Sequence, residues 1–171
     1  ETQFSGLKSM RAISNDGNMS TLYKTAVDKK TKFDAALDAE LEAYDKIYPV
    51  VIEITDKSSS LADINNFASF VKDMRTKLEA LSLTNTVNKD YVSSLISDMK
   101  KLEVILPKVQ AGRDDYTKYD STAVSDFYST ITNLSKDDRS WQSNMDKLIS
   151  DGQMKDELNK LESSLYDKTL K

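Results

Sequence analysis

The chain has 171 residues, enough for one hydrophobic core, yet it contains only 4 glycines and 2 prolines, too little punctuation for a turn-rich β architecture. Lys and Arg number 24 against 28 Asp and Glu, a formal charge of −4 with the two signs interleaved; no basic stripe marks a nucleic-acid surface, and no window approaches the 18 apolar residues of a membrane span. With no Cys and no His, disulfides, thiolate nucleophiles, Cys-ligated metals and imidazole bases are excluded, so no catalytic residue, cofactor or metal site is expected and the chain reads as non-enzymatic.

Residues 1 to 17 hold Gly6 and the Asp16-Gly17 turn signal without a sustained period, and are predicted to form a flexible N-terminal arm, followed by a single helical domain over 18 to 171. From Met19 the apolar positions Leu22, Ala26, Phe33, Leu37, Leu41, Tyr44, Tyr48 and Val51 follow in steps of three and four, with Lys30 on the same stripe. This predicts one long amphipathic helix with Phe33 in the core, Lys30 laying its stem along the apolar surface, and a kink at Pro49, which lacks a donor and clashes with the carbonyl four residues back. Ser58 to Ser60 end it, and Ser60 with Asp63 resembles a capping box for a second helix carrying Ile64, Phe67, Val71, Met74, Leu78 and Leu81.

Leu83 to Asn88 reads as a loop with Asn88 as N-cap. A third helix then carries Val92, Leu95, Met99, Leu102, Leu106 and Val109, bent at Pro107 and ended near Ala111-Gly112. After an ambiguous stretch from Asp114 to Ser121, a fourth helix carries Val124, Phe127, Ile131, Leu134, Trp141, Met145 and Leu148. Gly152 stops it, and Met154, Leu158, Leu161 and Leu165 mark a last short helix. The fold class is all-α: an elongated antiparallel three- or four-helix bundle with long kinked helices, since a first helix of roughly 40 residues would reach ~60 Å.

Carboxylates are the abundant acid/base groups, and Asp114-Asp115 and Asp137-Asp138 are the paired ones. Sequence neighbours point to different faces of a helix, so neither pair forms a dyad by itself. Asp138 falls on the apolar stripe, where an unpaired charge is costly; either a bend near Ser135 to Asp137 turns it outward or it pairs with a lysine. Trp141 reads as core. Asn18-Met19-Ser20 and Asn133-Leu134-Ser135 match the glycosylation sequon, a pattern that arises readily in a Ser-rich chain. The eight tyrosines include two pairs at helical spacing, Tyr44/Tyr48 and Tyr116/Tyr119, which are the candidate partner-binding residues because Tyr is favoured at interfaces.

The segment Ala26 to Phe33, with Leu37, Tyr44 and Ile47 and the later Asp115-Tyr116, Phe127, Ile131 and Leu134, resembles the YkyA-like cell-wall-binding lipoproteins of Gram-positive bacteria. That resemblance implies an extracytoplasmic helical bundle, a lipoprotein ectodomain with a binding or spacer role at the cell wall or surface, whose partner is a protein or a cell-wall polymer. Because the chain begins at Glu1 rather than Met, a signal peptide and lipid anchor would lie upstream, and the membrane would be reached only through that anchor. Phe33, Leu37, Glu40-Leu41, Tyr44-Asp45 and the stretch from Gly112 to Tyr116 are also similar to the V-shaped domain of ALIX-type adaptors. This second resemblance implies a cytoplasmic helical adaptor that docks a protein partner.

Overall fold

A chain so poor in helix breakers and so rich in three-and-four apolar spacing folds as helices throughout. The computed structural model describes residues 17–58 and 64–169, and no strand occurs among them. Helix α1 spans Gly17–Glu42, passes through a π turn at Ala43–Ile47 and continues as α2, Tyr48–Ser58. Then come α3 (Ile64–Glu79), α4 (Thr86–Asp114), a 3₁₀ turn (Tyr116–Lys118), α5 (Ser121–Gly152) and α6 (Lys155–Thr169). The expected arm lies outside the described residues apart from Gly17, which opens α1, and the Ser60/Asp63 capping box also lies outside them.

The kink expected at Pro49 takes the form of the π turn just before it. Proline clashes with the carbonyl four residues back, here that of Asp45, and an extra residue in the turn relieves the clash, leaving the Tyr48 N–H bonded to the Ala43 carbonyl. Pro107 stays exposed inside α4, and the helix runs past Ala111-Gly112 to Asp114. Asn85, not Asn88, caps α4: its side chain accepts from the Asn88 N–H at 3.2 Å. Asp120 opens α5 by accepting the N–H groups of Thr122 and Ala123, and Asp115 does the same for the 3₁₀ turn through Thr117.

Two compact units form. In the first, residues up to Leu37 associate with residues from Asp146 onward. Its described core is Met19, Ala26 and Leu161, flanked by Leu22, Tyr23, Leu158 and Leu165. Here Gly152 ends α5 while buried, and a Cβ on it would lie 2.7 Å from the Phe33 Cα, so the glycine serves a close backbone approach. Lys29 reinforces that approach by donating to the Asp151 carbonyl at 3.3 Å. Lys30 pairs with Asp34 one turn on.

In the second unit, Asp38–Met145, α3 and α4 pack through Val71, Met74 and Leu78 against Leu95, Met99, Leu102 and Leu106, all buried. Arg75 bridges Glu79 and Glu103 at 2.7 and 2.6 Å across this seam, and Lys77 reaches Glu53 of α2 at 2.7 Å.

Met19 and Ala26 of the expected stripe are buried, but from Ala36 onward the first helix buries a different one. Ala36, Ala39, Ala43, Ile47, Val50 and Ile54 are buried, whereas Phe33, Leu37, Leu41, Tyr44 and Tyr48 are exposed. Phe33 is therefore not a core residue. Both sets repeat in steps of three and four; the inward one opens with three alanines, whose small side chains let the helices approach closely.

Gly152→Ala is expected to lower the denaturation midpoint. In an open helix the change would add up to ~1 kcal/mol of helix preference, but here the new methyl meets backbone, so a net loss of about 1–3 kcal/mol by chemical denaturation is expected.

Candidate functional site

The four tyrosines singled out by spacing all reach solvent: Tyr44 is 74% exposed, Tyr48 40%, Tyr116 88% and Tyr119 58%. Tyr44 and Tyr48 meet edge to face, ring centroids 5.9 Å apart, on the outer face of the π turn. Tyr116 and Tyr119 flank the 3₁₀ turn, whose backbone closes against Gly112; a Cβ there would sit 2.9 Å from the Tyr119 Cα. Leu41 and Ile52 extend the Tyr44/Tyr48 pair into an exposed apolar stripe along one helix.

Behind Tyr48 lies Trp141, buried as expected and held on three sides. The Tyr91 ring stacks on it at 4.3 Å with 9° between planes, and the Tyr48 ring leans on it at 5.3 Å. Its indole N–H donates to the Asn88 Oδ1 at 3.0 Å. Asn88 is fully buried and donates in turn through Nδ2 to the Ala39 carbonyl (2.9 Å) and to Glu42 Oε2 (3.0 Å). Glu42 completes the cluster by accepting the N–H groups of Thr84 and Asn85 and the Thr84 hydroxyl. Burial works to raise the Glu42 pKa, but the donors from Asn88, Thr84 and Asn85 outweigh it and hold the carboxylate at about 2.

Beside Tyr91, the helices of the second unit line a partly open cavity of about 350 Å³. Its walls are Val51 and Ile54 of α2, Phe67 and Phe70 of α3, the Leu95 to Leu102 stretch of α4, and Ile131 and Leu134 of α5. Tyr91, Asp138 and Arg139 add polar groups at one end, and Ser135 lies midway along α5. Asp138 neither turns outward at a bend nor pairs with a lysine, the two alternatives its place on the stripe suggested. Helix α5 runs through it unbroken, and its half-buried carboxylate accepts from the Tyr91 hydroxyl (3.3 Å) and from Gln142 Nε2 (2.9 Å). Burial, and then the Asp138 charge, push the Tyr91 phenol well above its ordinary range, so it stays a donor.

One carboxyl pair does form, between helices instead of within the Asp137-Asp138 doublet. Asp98 of α4 is buried with its Oδ2 unpartnered among the described residues, and it faces Asp137 of α5. Burial first, then hydrogen bonding and repulsion with Asp137, raise the Asp98 pKa to about 7, against the pull of Lys101 3.6 Å away. A proton on Asp98 supplies the donor that two facing carboxylates lack. No group of three or more acidic side chains that could hold a metal ion occurs among the described residues. Tyr91 and Asp98 carried no sequence signal as site residues, and Asn88 read only as a helix cap.

Compared with known protein families, curated proteins and solved structures, the chain matches none.

Two outcomes follow from this geometry. Trp141→Ala is expected to cost about 3–5 kcal/mol through the cavity it leaves, while Trp141→Phe, which keeps the stacking but orphans the Asn88 Oδ1, costs about 1–3 kcal/mol. The native emission of Trp141 should be blue-shifted and poorly quenched by acrylamide.

The two buried carboxyls also give opposite pH dependences. Glu42, lowered from 4.5 to about 2, stabilises above pH 4.5 and loses its contribution as pH falls toward 2. Asp98, raised from 3.8 to about 7, stabilises while protonated, so its contribution falls as pH rises from 3.8 through 7. Asp98→Asn should therefore raise the denaturation midpoint at about pH 8 and leave it nearly unchanged at about pH 4.5; equal effects at both would remove Asp98 as the group responsible.

Proposed function

We propose that this chain is a non-enzymatic helical bundle that works outside the cytoplasm, as a lipoprotein ectodomain at the cell wall or surface, and binds a protein partner through the stripe Leu41, Tyr44, Tyr48 and Ile52. The observation that carries the reading is an exposed apolar stripe. Along a helical stretch whose inner face buries Ala39, Ala43, Ile47 and Val50, a leucine, two tyrosines and an isoleucine face solvent, the last at 56% exposure. Tyrosine and large aliphatic side chains on one helical face suit an i, i+3, i+4 docking surface for another helix. Tyr48 is fixed from behind by Trp141, so this part of the surface loses little side-chain freedom on binding.

The envelope location draws on the likeness to YkyA-like lipoproteins and on a composition without Cys or His. The cytoplasmic adaptor reading uses the same face with a different compartment. Tyr116 and Tyr119 belong to a separate turn and are proposed as secondary contacts.

A photo-crosslinking residue at position 44, expressed in intact source cells, is expected to give a discrete adduct with one envelope protein, whereas the same residue at exposed Lys24 gives none. Leu41→Glu with Tyr44→Ser should abolish the adduct and leave the melting curve within about 0.5 kcal/mol of the parent. Equal labelling at positions 44 and 24 would sink the docking surface. Resistance of the chain to protease added outside intact cells would sink the envelope location and favour the adaptor.

A further inference from the structure

The partly open cavity of the second unit is separate from the docking stripe. We infer that it takes the chain of a single-chain aliphatic carboxylic acid of about a dozen carbons, with the carboxylate held at the Tyr91–Arg139 end.

The argument begins with polarity along the cavity. Helices α4 and α5 run antiparallel here, since Tyr91 stacks on Trp141 and Asp98 faces Asp137. Tyr91, Asp138 and Arg139 therefore gather at one end, Ser135 lies midway along α5, and Leu102 and Ile131 lie toward the other end. The remaining walls are aliphatic and aromatic apart from Thr55 and Ser135, with Phe67 and Phe70 stacked on each other. A pocket apolar for most of its length and polar at one end matches a ligand with the same asymmetry.

Free donors decide the head group. Both Asp138 oxygens already accept hydrogen bonds, from Tyr91 and from Gln142, so they are not looking for a donor. Arg139, an exposed residue of the lining, enters none of the ion pairs or hydrogen bonds among the described residues, and its guanidinium offers a fork of donors that suits a carboxylate set beyond the Asp138 charge. Ser135, one turn away on the same face, can add a hydroxyl donor.

Size decides the chain. The lining runs along α4 from Tyr91 to Leu102, roughly 16 Å at ~1.5 Å per residue, the reach of an extended chain of about twelve carbons. A volume of about 350 Å³ is near the lower end of ligand pockets, ~300–1,000 Å³, and leaves no room for a second chain.

The test is a titration of the full chain with dodecanoate below its micellar concentration, followed by calorimetry and by Trp141 emission, since Trp141 stacks on Tyr91 at the polar end. One-to-one binding with a shift in emission is expected. Each two-carbon shortening should weaken it about tenfold, and hexadecanoate should bind no tighter than dodecanoate. Arg139→Gln should remove the preference for dodecanoate over dodecan-1-ol without weakening the alcohol. Ile131→Trp, which fills the distal end, should abolish both while retaining the helical circular dichroism of the parent. If that variant fails to fold, the chain-length series carries the test: a flat dependence, or affinity still rising beyond twelve carbons, overturns the cavity as the site. No binding of dodecanoate overturns the ligand class, and an unchanged preference in Arg139→Gln overturns the head-group assignment. Vesicles of a diacyl anionic lipid should leave Trp141 emission unmoved; a shift with vesicles and none with dodecanoate would refute the free-acid reading.

Discussion

Asn88 is the residue on which the second unit turns. A fully buried amide must find partners for two donors and an acceptor, and here each comes from a different place: the Ala39 carbonyl, the Glu42 carboxylate and the Trp141 indole. The same side chain thus fixes the last turn of α1 and α5 against the start of α4. Apolar packing is tolerant of small rotations, but a hydrogen-bonded amide at zero exposure is not, and the orientation of that last turn follows from it. Glu42 extends the constraint to the connection before α4 by accepting the Thr84 and Asn85 N–H groups, so the loop is pinned by charge-assisted bonds.

This explains what could be read in the chain and what could not. The stripes of α3, α4 and the later part of α5 follow one face, and Phe67, Val71, Met74, Leu78, Leu95, Met99, Leu102 and Trp141 are buried where their spacing places them. The first helix has two stripes of equal periodicity, about one residue out of phase. Within the second unit hydrophobicity favours the face with Leu41, Tyr44 and Tyr48, but turning that face inward would carry Glu42 and the Ala39 carbonyl away from Asn88. The polar cluster prevails, and nothing in a single sequence announces that Asn88 and Glu42, 46 positions apart, are bonded. The candidate tyrosines were legible because spacing alone marks them. The cavity was not, since its walls are ordinary core residues contributed by several helices.

The two acidic groups at the α4 seams show how environment divides one chemistry into two. Glu42 is surrounded by donors and stays ionised; Asp98 faces another carboxylate with no donor for one oxygen and holds its proton into the neutral range. Natural cores rarely retain an arrangement like the second for stability, because an apolar pair of similar volume would pack as well. Its effect is specificity of register: sliding α4 along α5 by one turn would place a lone Asp98 among apolar side chains.

The π turn at Ala43–Ile47 has a consequence for the history of the chain. A π turn is an α-helix that has accepted one extra residue without breaking, and the proline immediately after it keeps that residue in place by making the tighter turn sterically costly. Related chains that lack the proline would be free to dispense with the additional residue. An alignment of such relatives would then open its gap in the middle of a long helix, where insertions are least looked for, and the residues on either side would seem to change faces although the bundle had stayed the same.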